Sequence, residues 1–263
     1  MIYKDQLNHT IELTTVPKRI ISVVPSQTEL LFELGLDEEV IGITKFCVHP
    51  KQWFLAKTKI GGTKNLNIKK IEALNPDLII ANKEENNAEQ IKYLQQKFPV
   101  WTSDISTLDE SLAMIKSIGK IIGKTKNATT LYSAILHEFE IYKPHFTKRY
   151  SALYLIWKTP YMSVGNDTII HNLLNYCGFN NVLSHKKRYP EISVTEIAIL
   201  QPEFIFLSSE PYPFKEKHIN ELQEIAPKSK IILVDGELFS WYGSRLKLAP
   251  TYFSQLRSNL NLS

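Results

Sequence analysis

The chain has 263 residues, 43% of them hydrophobic and 22% charged, and a formal net charge of +4. That length exceeds one small core and fits two domains of ordinary size. There is no basic stripe interleaved with aromatics, and no apolar run approaches the ~20 residues that span a bilayer, so neither nucleic-acid binding nor membrane embedding is expected. The lysines read as scattered over helix faces, where water solvates them. The segment after Met1 lacks a basic start, an apolar core and a cleavage site. The sequence as it stands is therefore expected in the cytoplasm. A signal removed before Met1 would place it in the periplasm or on a lipid anchor. Cys47 and Cys177 are expected as buried thiols.

In chain order, residues 1–16 read as a hairpin turning at Asn8-His9, and residues 19–24 as a buried β-branched strand broken by Pro25. Ser26-Gln27-Thr28-Glu29 has the form of a capping box, opening a helix that ends at Gly35. Residues 40–43 are the next strand, 46–49 a loop before Pro50, and Gly61-Gly62-Thr63 a tight turn. Asn67 caps a helix to Leu74, followed by a strand over 77–81, a helix over 88–96 and a strand at Val100-Trp101. Residues 107–143 then read as helix, with a capping box at Thr107 to Glu110 and a stop at Gly123. Its second part carries one apolar stripe of Ala128, Leu131, Ile135, Phe139 and Tyr142, ended by Pro144. Strand–helix alternation resumes with a strand over 152–157 and a helix over 168–177 closed by Gly178. A third capping box follows at Ser193 to Glu196, then strands over 204–207 and 231–234 and a terminal helix from Ala249. Such alternation gives an α/β fold with parallel sheets covered on both faces.

The two halves match each other. Residues 68–80 superpose without a gap on residues 194–206, sharing apolar positions, a proline (Pro76, Pro202) and the acid after it (Asp77, Glu203). The same offset sets Glu84 opposite Glu210, each just past a strand's carboxyl end, where open α/β sheets bind ligands.

Loops of the second half are rich in aromatics and prolines. They hold Trp157 and Tyr161; Arg188 and Tyr189; Glu210, Tyr212 and Phe214; and Glu237, Trp241, Tyr242 and Arg245. Rigid aromatics give large contact area at small entropic cost, which suits a sizeable, partly flat ligand. The ordinary alternative is that Phe214, Phe239 and Trp241 simply plug the edge of the second lobe. The first half offers Pro25 and Gln27 at a helix start, Phe46 and His49 in one loop, Thr63 in the glycine turn, and Glu84. No phosphate-loop, dinucleotide, nucleophile-elbow or zinc-protease motif is present, so the chain is not expected to be an enzyme or to carry an intrinsic cofactor or metal.

Residues 17–31, the Gly61-Gly62-Thr63 turn and Leu74-Asn75-Pro76-Asp77 together resemble the helical-backbone solute-binding proteins of ABC importers. The resemblance covers essentially the whole chain. It implies two Rossmann-like lobes (1–123 and 148–263) joined by one long rigid helix (124–147), with the ligand in the cleft, and little movement on binding. Tyr161-Met162-Ser163-Val164-Gly165 and Tyr189-Pro190-Glu191-Ile192-Ser193 look closest to the cobalamin-binding branch, with ferric siderophore receptors second. One corrin-stacking aromatic of that branch aligns with Thr63, while Phe46 keeps another. Receptors of this class dock to permease arginines through a glutamate on each lobe, and those positions are Lys69 and Thr195 here. The resemblance thus implies a monomeric receptor for a cobalamin, another corrinoid or a siderophore-type chelate, in a cytoplasmic relative whose docking to an ABC permease is altered. A metal-handling protein or enzyme on the same frame is the alternative.

Overall fold

A computed structural model describes residues 1–142 and 146–262. Lys143 and Pro144, the expected end of the long helix, lie outside the described residues. Two compact units are formed, unit 1 from residues 1–105, 109–136 and 242–245, and unit 2 from residues 106–108, 137–241 and 246 onward.

Unit 1 opens with an antiparallel hairpin, β1 (Ile2–Lys4) and β2 (Thr10–Glu12), turning through Asn8 at φ +67°. Its five-stranded parallel sheet contains β3 (Ile20–Ser22), β4 (Val40–Ile43), β5 (Thr58–Lys59), β6 (Leu78–Asn82) and β7 (Val100–Ser103), in the order β5-β4-β3-β6-β7. The helices are α1 (Pro25–Glu33), α2 (Lys51–Ala56), α3 (Ile68–Leu74), α4 (Ala88–Gln95), α5 (Leu108–Ile121) and the start of α6 (Thr125–Tyr142). Ile20, Ile21, Ile79 and Ile80 are fully buried, as central parallel strands covered on both faces require. Ala128, Leu131, Ile135 and Phe139 of α6 are buried on the expected stripe.

The expected capping box at Ser26 does not form. Pro25 occupies the first helical turn, where its fixed φ and missing N–H are tolerated, so α1 starts early and Ser26 lies inside it. The two-residue β5 and the six-residue α2 were not legible as pattern.

Unit 2 holds β8 (Tyr150–Leu155), α7 (Ile169–Tyr176), β9 (Phe179–Asn181), α8 (Val194–Leu200), β10 (Phe204–Ser208), α9 (Glu216–Ile225), β11 (Lys230–Val234), α10 (Glu237–Ser240) and α11 (Ala249–Asn259). Its parallel sheet runs β11-β10-β8-β9. Thr168 caps α7, and the capping box of Ser193 and Glu196 on α8 is complete.

The internal repeat is structural. The order β4-β3-β6-β7 of unit 1 maps onto β9-β8-β10-β11 of unit 2. Asn67 and Ser193 cap the equivalent helices α3 and α8, which end at left-handed Asn75 (φ 43°) and Gln201 (φ 37°). The acid after each proline then holds the neighbouring strand's entry. Asp77 accepts from the amides of Lys18 (2.7 Å) and Arg19 (2.9 Å), and Glu203 from that of Ser151 (2.8 Å). Asp77→Ala is expected to destabilise unit 1 by about 1 kcal/mol, read as a lower denaturant midpoint with an unchanged slope.

Candidate ligand-binding site

In a parallel sheet all carboxyl ends share one edge, and ligands of open α/β folds sit beyond it. In unit 1 the segments following that edge carry Pro25, Gln27, Phe46, His49, Thr63 and Glu84, all six residues expected from the first half. Asn82, the last residue of β6, accepts from the amides of Glu84 and Glu85 at 2.8 and 2.9 Å. Asn86 donates to the carbonyls of Val23 (3.0 Å) and Thr63 (3.1 Å) and accepts from the Asn82 amide at 2.8 Å. One side chain therefore ties together the loops after three strands. Sequence reasoning missed both asparagines. Their signal was available, since Asn side chains flanking a short polar run after a strand favour such a turn.

Gln27 is buried and donates to Ser103 Oγ at 2.6 Å, while its Oε1 has no protein partner among the described residues. Phe46 is 52% exposed and lies against Gly62, where a Cβ would come within 3.0 Å of the ring. Cys47 is buried beneath this loop and accepts from Thr28 Oγ1 at 3.1 Å. Burial pushes its thiol up to about 11, so at neutral pH it is protonated and unreactive.

The chain returns to unit 1 at residues 242–245. Tyr242, 5% exposed, donates its hydroxyl to Glu85 Oε1 at 2.9 Å, and Arg245 pairs with Glu29 through Nε (3.0 Å) and Nη2 (2.5 Å). Gly243 allows this seating, because a Cβ there would meet the Ser26 carbonyl at 2.7 Å. Tyr242 and Arg245, expected as ligand contacts, are thus engaged within unit 1.

In unit 2, Glu210 follows β10 and its Oε1 accepts from Ser240 Oγ and Trp241 Nε1, both at 2.8 Å. Burial pushes its carboxyl above the usual range; the Ser240 hydrogen bond opposes this, and nearby Glu237 adds to it. Gly236 makes room, since a Cβ would fall 2.8 Å from Glu210 Cγ. The raised folded-state value means that the native state holds this proton more tightly than the unfolded chain. Stability from this group is therefore lost as pH rises from the ordinary carboxyl range through the folded value. Glu210→Gln is expected to melt at least as high as wild type at pH 7, with its advantage shrinking toward pH 4, in parallel calorimetric melts.

Trp157 is 39% exposed and stands edge-on to half-buried Tyr212 at 5.6 Å, beyond the ends of β8 and β10. Phe214 and Trp241 are buried instead, Phe214 in the core and Trp241 on Glu210. Arg188 and Tyr189 follow β9 in a segment zipped to the loop after β8: Gly165 N donates to Arg188 O at 2.7 Å, Ser163 N to Pro190 O at 2.9 Å, and Ile192 N to Tyr161 O at 3.0 Å. Tyr161 lines a groove of ≈ 300 Å³ with Pro160, Ile192 and Val194. Glu237 is half-buried at the start of α10.

Residues 20–226 match the periplasmic binding protein family. The chain belongs to that family. Its members are non-enzymatic substrate-binding components of ABC importers, which work with a membrane permease, and this chain is a non-catalytic ligand-binding protein of that kind. It is similar to the vitamin B12-binding protein of Vibrio campbellii, 26% identical over 197 residues, covering 73% of this chain and 70% of the relative. It is also similar to the uncharacterised ABC transporter substrate-binding lipoprotein YvrC of Bacillus subtilis, 27% identical over 211 residues, covering 76% and 67%. The crystal structure of the periplasmic vitamin B12-binding protein BtuF of Vibrio cholerae shares the fold, with a TM-score of 0.76 at 21% identity over 92% of this chain and 98% of that one. The Bacillus subtilis relative is named as a lipoprotein and the Vibrio cholerae structure as periplasmic. Among the described residues no helix is long and apolar enough to cross a membrane, and no three His, Cys, Asp or Glu side chains converge as a metal-holding group.

Proposed function

We propose that this family member is a receptor for a corrinoid, cobalamin or its cobinamide core, carried as cargo and not as a cofactor. The observation that carries the reading is the Trp157–Tyr212 pair, an exposed indole braced edge-on by a tyrosine beyond a parallel sheet's carboxyl edge. A flat macrocycle gains most from such rigid aromatic area. Curated relatives named for vitamin B12 binding support the same choice. Tyr161, Arg188, Tyr189 and Glu210, which with Trp157 and Tyr212 belong to unit 2, are the further contacts we assign. Docking to a permease would not use glutamates at positions 69 and 195, where Lys69 and Thr195 stand exposed on α3 and α8.

Titration of the purified protein with cyanocobalamin, cobinamide, hemin and ferric siderophores, followed by absorbance and calorimetry, tests this. Saturable corrinoid binding weakened about tenfold or more by Trp157→Ala is the expected result. Saturation by a siderophore or hemin alone, or no corrinoid binding at ~100 μM, would overturn it.

A further inference from the structure

The lysines are not evenly spread. The 32 residues from Val40 to Ile71 contain seven lysines and His49 but no Asp or Glu. Outside them 24 basic residues face all 27 acidic ones, so the rest of the chain is net −3. The fold gathers this stretch at one side of unit 1. It forms β4, α2, the outermost strand β5, the glycine turn and the first turn of α3, with Asn67 N donating to Ile60 O at 2.8 Å.

Three of the seven lysines are occupied. Lys57 pairs with Asp37 at 3.1 Å, Lys59 binds the carbonyls of Phe54 and Lys57, and Lys64 that of Glu84. Lys45, Lys51, Lys69 and Lys70 are exposed and have no carboxylate partner among the described residues. Apolar surface accompanies them. Trp53 pins α2 inward, buried edge-on to Phe32 at 5.3 Å with Nε1 on Asp37 at 2.8 Å. Leu55 consequently points outward, 74% exposed, one turn beyond Lys51 on the same helix face.

We propose that this edge of unit 1 rests on an anionic lipid surface. All seven cations are lysines, compact and strongly hydrated charges on flexible stems, which suit a diffuse anionic plane. Interfaces with folded proteins favour arginine and are depleted in lysine. An exposed leucine among lysines on a short helix is the composition that enters the headgroup boundary.

Co-sedimentation of the full chain with phosphatidylcholine vesicles containing about one third phosphatidylglycerol, against phosphatidylcholine alone, tests the proposal. Binding to the anionic vesicles only, released by ~0.5 M salt, is expected. Combined Lys51→Gln, Lys69→Gln and Lys70→Gln should lower partitioning about 100-fold, at about fivefold per lysine. Leu55→Ser should lower it about tenfold. Unchanged melting of both variants would show that the loss is not unfolding. Equal binding to neutral vesicles, indifference to the triple substitution, or tighter binding to poly-glutamate than to vesicles would each overturn the lipid assignment, the last in favour of an acidic protein partner.

Discussion

Phe206→Ala is expected to destabilise unit 2 by about 3–5 kcal/mol, enough to lower its melting temperature by about 10 °C. Phe206 is fully buried in the middle of β10. Its ring meets Phe179 at 4.7 Å, Phe239 at 6.3 Å and Tyr154 at 6.4 Å, so truncation opens a cavity walled by stiff aromatics that cannot collapse into it. The same strand delivers Ser208 and Glu210 to the carboxyl edge, so loosening it should also blur the loop that carries Tyr212. Calorimetry with a near-ultraviolet dichroism melt measures both effects. A loss under 1 kcal/mol would mean that this aromatic cluster is not the core of the unit.

Gly61→Ala should be the most damaging small substitution in unit 1, at about 3 kcal/mol. The backbone there has φ +104°, which an L side chain rarely adopts, and a Cβ would sit 2.5 Å from the Asn65 carbonyl and 2.8 Å from the Asn67 amide. Both clashes are with backbone, so no rotamer relieves them. The turn closes through Gly62 N to Asn65 O at 2.9 Å and sets Thr63 where Asn86 holds its carbonyl. Gly61→Ala should therefore lower the denaturant midpoint and accelerate amide exchange over residues 61–67. A variant as stable as wild type would show that the turn adjusts freely.

The fold was legible wherever a long element repeated a period or carried a cap. The stripe of α6, the Asn67 and Ser193 caps and the paired Pro-acid strands all stand where the sequence put them. The misses are short or polar elements. β5 is two residues long, and α9 buries only His218 and Leu222 of its ten residues. The capping box at Ser26 failed because a proline one position earlier starts a helix equally well.

The candidate site was legible by class and less so by side chain. Aromatic loops after strands are visible as composition, and Trp157 and Tyr212 do stand at the carboxyl edge. Whether an aromatic or an arginine faces outward depends on long-range partners. Arg245 finds Glu29 216 residues away, and Trp241 finds Glu210 31 residues away, and no local pattern signals either. The buried asparagines Asn82 and Asn86, which hold the unit 1 loops in register, looked like ordinary polar loop residues.

Hydrogen–deuterium exchange of the full chain with and without saturating cobinamide tests the ligand assignment most directly. Slowed exchange confined to the segments after the carboxyl ends of the unit 2 strands, at 157–165, 186–192 and 208–214, is the expected result. Unchanged exchange in those segments would contradict it, as would protection centred on the ≈ 570 Å³ groove lined by residues 8–12 and 95–100 of unit 1.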